Sequence, residues 1–282
     1  MYTSLPPYFA FREICENGLS TVRPLNRERA KDRDRHGWNY GSAALPSYEA
    51  FGRMRALFAL DLARKLRPRR VLEVAAGDAA LCASLQDSLG CEVWANDLRA
   101  DQLEDSIRSF TNCSSIGRLP GNLFDLDPKI TGLFDLVVAC EVIEHVAHTA
   151  EFLKQLRRFL TPNGKLLLTT PNGAYFRNKL PTHSQIQDFA ALESRQFKPD
   201  ADGHLFLITP EELHALAESA GLRVERLDLW GTPALTGQCG TRIASRLGKI
   251  WPWYALETTL LKLPMPLRQK LCYALSTVLT PL

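Results

Sequence analysis

VLEVAAGDAALCASLQDSLGCEVWAND, running from Val71 to Asp97, contains one complete structural unit. VLEV is a short apolar run that reads as a buried strand. The small residues of AAGDAA follow, then an amphipathic stretch that Gly90 closes in the manner of a helix C-cap. CEVWAND reads as a second strand, ending on Asn96 and Asp97. Strand, tight turn, helix and strand make a βαβ unit, whose turn opens onto a helix N-terminus with free N–H groups and the positive end of the peptide dipoles. Asp97 lies twenty residues after Gly77. A carboxylate placed there can accept both hydroxyls of a ribose.

The alternation continues outward. RMRALFALDLARKL (Arg53–Leu66) predicts a helix ended by Pro68, and DQLEDSIRSF and HTAEFLKQLRRFL predict two more. FDLVVAC and GKLLLTTPN read as strong strands, IGRLPGNLFDLD as a weak strand or loop, and LRVERLDLW as the last strand. TPEELHALAESAG opens with Thr209 as N-cap, Pro210 in the first turn and Glu212 three residues on, a capping box. Such a chain predicts an α/β domain with a mostly parallel sheet and helices on both faces. Its site lies beyond the carboxyl ends of the strands, which puts the loops after Val74, Ala95 and Cys140 on one rim. A dinucleotide fingerprint needs three glycines where AAGDAA has one, so an adenosine ligand without a diphosphate fits better than NAD.

VLEVAAGDA, VWANDL, GNLFDLD and FDLVVACEVIEHV…LTPNGKLLLTTPN, taken in order, resemble the successive motifs of class I S-adenosylmethionine-dependent methyltransferases. The nearest branches are the ubiquinone-biosynthesis O-methyltransferases and the small-RNA 3′-end 2′-O-methyltransferases. The resemblance spans residues 55–230 and implies a Rossmann-like, seven-stranded sheet with one antiparallel edge strand. It implies that Glu73, Ala75 and Gly77 line the methionine part of S-adenosylmethionine and that Asp97 takes the ribose. Leu98 would pack on the adenine, Asn122 and Leu123 would meet its edge, and Cys140 would offer backbone near the sulfonium. Ala75 and Ala79 stand where the family usually has glycine, and Asn122 where it often has aspartate. Alanine is small enough to predict weakened, not abolished, cofactor binding.

CEVIEHV (Cys140–Val146) carries the chemistry. A helix starting after Cys140 would place Glu141, Glu144 and His145 at i, i+3 and i+4 on one face, with Val142, Ile143 and Val146 turned to the core. Two carboxylates and an imidazole suit a divalent ion, magnesium or manganese before zinc, that would acidify and orient a substrate hydroxyl. The resemblance to the small-RNA enzymes adds His204, in DGHLFLITPEEL, as a fourth ligand. Three readings stay open: a metal site, His145 as a general base without metal, and a structural helix start. His148 and His214 read as surface residues.

Net charge is +3 and composition is that of a globular protein. Seven scattered cysteines without CxxC pairs fit a reducing, cytoplasmic setting, and the N-terminal residues do not read as a signal peptide. Three segments are expected: an N-terminal lid (1–54), the methyltransferase domain (55–230) and a basic C-terminal extension (231–282). The extension has six Lys/Arg against Glu257 alone. Leu267, Leu271, Ala274 or Leu275, Val278 and Leu279 fall on one face of a predicted helix there. That face is expected to pack on the domain, to form a homodimer, or to meet a membrane surface or lipid-like substrate. The expected activity is metal-assisted O-methylation of a small-molecule hydroxyl. An RNA 3′-terminal 2′-O-methyltransferase is the alternative, disfavoured by the lack of positive balance in the core. An adenosine-ligand-binding protein without chemistry is the third.

Overall fold

A computed structural model of the chain describes residues 46–77, 79–108, 115–196, 203–233 and 251–282. The first half contains α1 (Pro46–Leu66), β1 (Arg70–Val74), α2 (Ala80–Leu89), β2 (Glu92–Asp97), α3 (Ala100–Arg108), β3 (Gly117–Pro120), α4 (Pro128–Thr131) and β4 (Phe134–Cys140). Then come α5 (Thr149–Arg158), β5 (Leu160–Pro171), α6 (Ala190–Glu193), α7 (Pro210–Ser219), β6 (Leu222–Trp230), α8 (Trp251–Leu260), α9 (Met265–Leu271) and β7 (Ala274–Pro281). Single 3-10 turns occur at Leu123–Asp125, Ile143–His145 and His183–Gln185. Most of the expected lid lies outside the described residues; its last part opens α1, which begins earlier than predicted.

The seven strands form one sheet in the order β3-β2-β1-β4-β5-β7-β6. Strands β1 to β5 pair in parallel, as the βαβ reading requires, and β7 is antiparallel to both its neighbours. The antiparallel strand is therefore second from the edge, not at the edge as expected. The pleat divides the core into two layers. Val71, Leu136, Val138 and Leu167 face the α1–α2 side, and Leu72, Val137, Ala139, Leu166 and Leu168 face the α5–α7 side. Leu136, Val137, Val138 and Ala139 in β4 are fully buried, each larger one stabilising the fold by about 1.5–3 kcal/mol.

β7 is the main correction to the sequence reading, which expected Ala274–Leu279 on a helix. Its Leu275 and Leu279 face one core layer while Ala274 and Val278 face the other. A strand buried on both faces has no polar alternation, so its leucines can mimic helical spacing. Ser276 and Thr277 are buried but satisfied. The Trp230 indole N–H donates to Ser276 Oγ at 2.7 Å, and Thr277 Oγ1 donates to the Arg226 carbonyl at 2.9 Å. The helical expectation does hold for α9, where Leu267 is exposed. No helix among the described residues is long and apolar enough to cross a membrane.

Because β7 separates β5 from β6, a chain ending at Trp230 loses a strand buried in the sheet. It is expected to show no cooperative thermal transition by circular dichroism, whereas the intact chain melts cooperatively. A folded 46–230 fragment would contradict this account of the sheet.

Candidate active site

β1 runs into a turn where Ala75, Gly77 and Ala79 all have left-handed backbone, with φ of 55°, 54° and 56°. The conformation costs a residue bearing Cβ about 1–2 kcal/mol. Both alanines nevertheless follow the path a glycine would take. The Ala76 N–H donates to the Asn96 carbonyl at 2.9 Å and ties the turn to β2. The Gly77 N–H donates to Asp97 Oδ2 at 2.9 Å, and the Arg99 N–H donates to Oδ1 at 3.1 Å. Asp97 is thus oriented by two backbone donors at the end of its strand, beside the turn.

Next to it opens a cavity of about 370 Å³. Ala75, Leu98, Asn122 and Leu123 of the predicted set line it, joined by Val142 and Val146. Leu98 is 47% exposed, and Phe124, also in the wall, is 44% exposed. Large apolar side chains left open at a cavity mouth suit a flat aromatic ligand. Asn122 uses its side-chain oxygen to accept the Phe124 N–H at 3.1 Å, which shapes this wall. The far wall was not foreseen. Gln196 belongs to it, with Oε1 accepting the Ala147 N–H at 2.8 Å, and His148 Nε2 meets Glu193 Oε1 at 2.6 Å. These contacts join the stretch after β5 to the start of α5, separations of 49 and 45 residues that no local motif signals. His148, half-exposed as expected, is therefore part of the cavity rather than idle surface.

Glu73, Gly77, Asp97 and Cys140 do not line that cavity. Glu73 is buried and accepts the Cys82 thiol at 2.8 Å. Burial, and then the nearby Glu73 charge, pushes the Cys140 thiol up to about 12, so it is no nucleophile. On the same side of the sheet, Glu141 has φ 56° and accepts Thr169 Oγ1 at 2.9 Å. Its other oxygen lies 3.6 Å from the Arg55 guanidinium of α1. Arg55 was missed because it sits within a helical pattern. The available signal was a charge three and four residues before Phe58 and Ala59, both buried.

Glu141 therefore does not join Glu144 and His145 on a shared helix face, as the sequence predicted. Its left-handed backbone breaks the expected helix, and only Ile143–His145 form a turn. Glu144, fully buried, accepts Thr170 Oγ1 at 3.0 Å on the other face of β5. Its Oε1 has no hydrogen-bond partner and lies 3.9 Å from His204 Nε2. The rings of His145 and His204 meet edge-on at 4.9 Å between centroids. The Leu205 N–H donates to the Glu144 carbonyl at 2.9 Å, which anchors the segment carrying His204. Burial, and then the Glu141 charge, holds the Glu144 carboxyl well above the usual carboxylate range.

One ligand atom from each of Glu144, His145 and His204 falls within 4.8 Å of the others. An ion held at about 2.1 Å spaces its ligands about 3–4 Å apart, so small side-chain adjustments would close the set. A buried carboxylate oxygen lacking a partner is what a cation would satisfy. The donor set fits a divalent ion with three protein ligands and open positions, and Glu141 is not one of them.

Comparison with known proteins bears on this geometry. A family model described as a methyltransferase domain matches residues 48–227. The ubiquinone biosynthesis O-methyltransferase of Xanthomonas axonopodis pv. citri (strain 306) is 28% identical over 188 residues, covering 63% of this chain and 76% of the relative. Two solved structures share the fold at low identity. A putative sarcosine dimethylglycine methyltransferase from Galdieria sulphuraria has a TM-score of 0.55 at 15% identity, covering 88% of this chain and 96% of that one. An S-adenosylmethionine-dependent methyltransferase from Clostridium acetobutylicum ATCC 824 has a TM-score of 0.53 at 12% identity, covering 89% and 98%. The βαβ turn, the oriented Asp97 and the open apolar cavity thus belong to a Rossmann-like class I domain, and the chain is a member of the S-adenosylmethionine-dependent methyltransferase family.

Proposed function

We propose that the protein methylates a hydroxyl oxygen of a small molecule, with a divalent ion held by Glu144, His145 and His204. The supporting observation is adjacency. Val142 and Val146 line the cavity, and Ile143, Glu144 and His145 form the single turn between them. A cofactor in the cavity and an acceptor at the cluster would be neighbours across that turn. Similarity to an O-methyltransferase points the same way.

In this reading Asp97 and the Gly77 turn hold the ribose, and Leu98, Asn122 and Leu123 flank the adenine. Ala75 and the backbone near Glu73 and Cys140 border the methionine part. Arg55, on that side of the sheet, supplies a counter-charge for the methionine carboxylate. S-adenosylmethionine, when bound, supplies an electrophilic methyl group. A divalent ion, when bound, makes an acceptor hydroxyl more acidic. The protein's own part is chiefly alignment, which can contribute several kcal/mol to the barrier reduction. Methyl transfer to the acceptor oxygen would break the sulfonium C–S bond, leave S-adenosylhomocysteine as the departing thioether and release the hydroxyl proton to solvent. Without an ion, His145 is the rim imidazole placed to take that proton. With Glu141 outside the cluster, two imidazoles and one carboxylate suit manganese or zinc better than magnesium, which prefers oxygen ligands. Exposed Phe176, with the Arg177 guanidinium 5.6 Å from its ring centroid, and exposed Leu267 suit an anionic or lipid-like acceptor.

The cofactor assignment is checked by titrating S-adenosylhomocysteine. Asp97→Ala and Arg55→Ala are each expected to weaken binding by about 1.5–3 kcal/mol, or roughly ten- to a hundredfold. Unchanged affinity in both would overturn the placement. The metal assignment is checked by titrating Mn²⁺ calorimetrically. Glu144→Gln and His204→Ala should abolish binding, and Glu141→Gln should preserve it. A wild-type chain that binds no Mn²⁺, and whose turnover withstands EDTA, would leave His145 as a general base.

A further inference from the structure

At the end of the sheet opposite the catalytic rim, the chain leaves α1 through RKLRPRR (Arg64–Arg70). An open cavity of about 720 Å³ lies there, with Arg64, Arg67 and Arg69 on one wall. Ser88, Gly90 and Cys91, at the exit of α2, belong to the other. Those three arginines make no ion pair among the described residues. Neighbouring charges are already matched: Lys65 pairs with Asp61 at 2.8 Å. Glu92, the acid in the cavity wall, accepts both the Arg70 Nε–H at 3.0 Å and the Trp94 indole N–H at 2.6 Å. Asp135 is occupied by the backbone N–H groups of Arg69 and Arg70.

Arg67 adds an independent observation. It closes α1 by donating its N–H to the Ala63 carbonyl at 2.9 Å, in the left-handed conformation with φ 49°. Glycine is the low-strain choice at such a cap, and Gly90 fills the corresponding role after α2. Arginine there accepts backbone strain and adds a third guanidinium to the cavity. Basic residues near helix C-termini favour the dipole, but dipole compensation alone does not call for arginine in a strained cap. We propose that this groove binds a phosphate group, gripped by the guanidiniums of Arg64, Arg67 and Arg69. Guanidinium donors match phosphate oxygens in pairs, and the groove offers three, while the acid in its wall, Glu92, is already ion-paired with Arg70. The phosphate could be free or carried on a lipid headgroup. Neither the cofactor cavity nor the acid–imidazole cluster takes part, so this proposal stands apart from the assigned reaction.

The test uses the full chain at about 0.15 M ionic strength, where weak surface attraction is screened. Inorganic pyrophosphate is titrated calorimetrically, and phosphatidylglycerol vesicles are sedimented with the protein against phosphatidylcholine controls. Pyrophosphate is expected to bind the wild type, and R64Q/R67Q/R69Q to bind at least about tenfold more weakly, with S-adenosylhomocysteine affinity unchanged. Pyrophosphate binding without pelleting assigns a free phosphate. Pelleting that pyrophosphate competes away assigns a headgroup. If the triple variant fails to fold, R67G serves alone: relief of strain should raise its melting temperature by about 2 °C while pyrophosphate binding weakens. Equal binding by wild type and variants, or no response to either probe, overturns the proposal.

Discussion

Successive side chains of a strand leave on opposite faces of the sheet, and at the carboxyl end of β5 that alternation sorts the acids of the site. Thr169 donates to Glu141 on the α1 side, and Thr170 donates to Glu144 on the α5–α7 side. Two glutamates three residues apart thereby enter separate environments. One faces a guanidinium, and the other faces two imidazoles. The left-handed backbone at Glu141 makes the division possible, since a continuing helix would have kept both acids together.

The two environments differ electrostatically. Glu141 retains a nearby cation in Arg55, whereas Glu144 has lost all contact with water and has a hydroxyl on one oxygen only. An ionised group in that position is costly unless a positive charge accompanies it. A position so unfavourable to an isolated carboxylate gains most from a cation or a proton. Its burial thus makes the cluster selective for occupants that bring positive charge.

Much of the architecture was legible in Val71–Asp97, because a strand, a turn of small residues and a capped helix are local patterns. Asp97 was legible for the same reason, its position following from strand length and turn. β7 was not, since burial on both faces erases the period that distinguishes strand from helix. Glu141 was misplaced because a single positive φ at a residue other than glycine leaves no mark in the sequence. Gln196 reaches the cavity wall, and Glu193 the His148 of that wall, only through contacts dozens of residues away in sequence. Arg55 could have been noticed as a charge on an otherwise buried helix face.

β5 and β7 meet where Pro171 pairs with Ala274, so the chain between them is an excursion that supplies edge strand β6 and returns beside its own starting point. Gln196, His204, α7 and β6 all belong to that excursion, whereas Gly77, Asp97 and Leu98 lie wholly before it. Lengthening a flexible connection within it is thermodynamically mild, about 0.6 kcal/mol for a doubling. Sequence drift or insertion in the excursion can therefore remodel the cavity wall that Gln196 supplies and the segment that carries His204, while Gly77, Asp97 and Leu98 need not change with them.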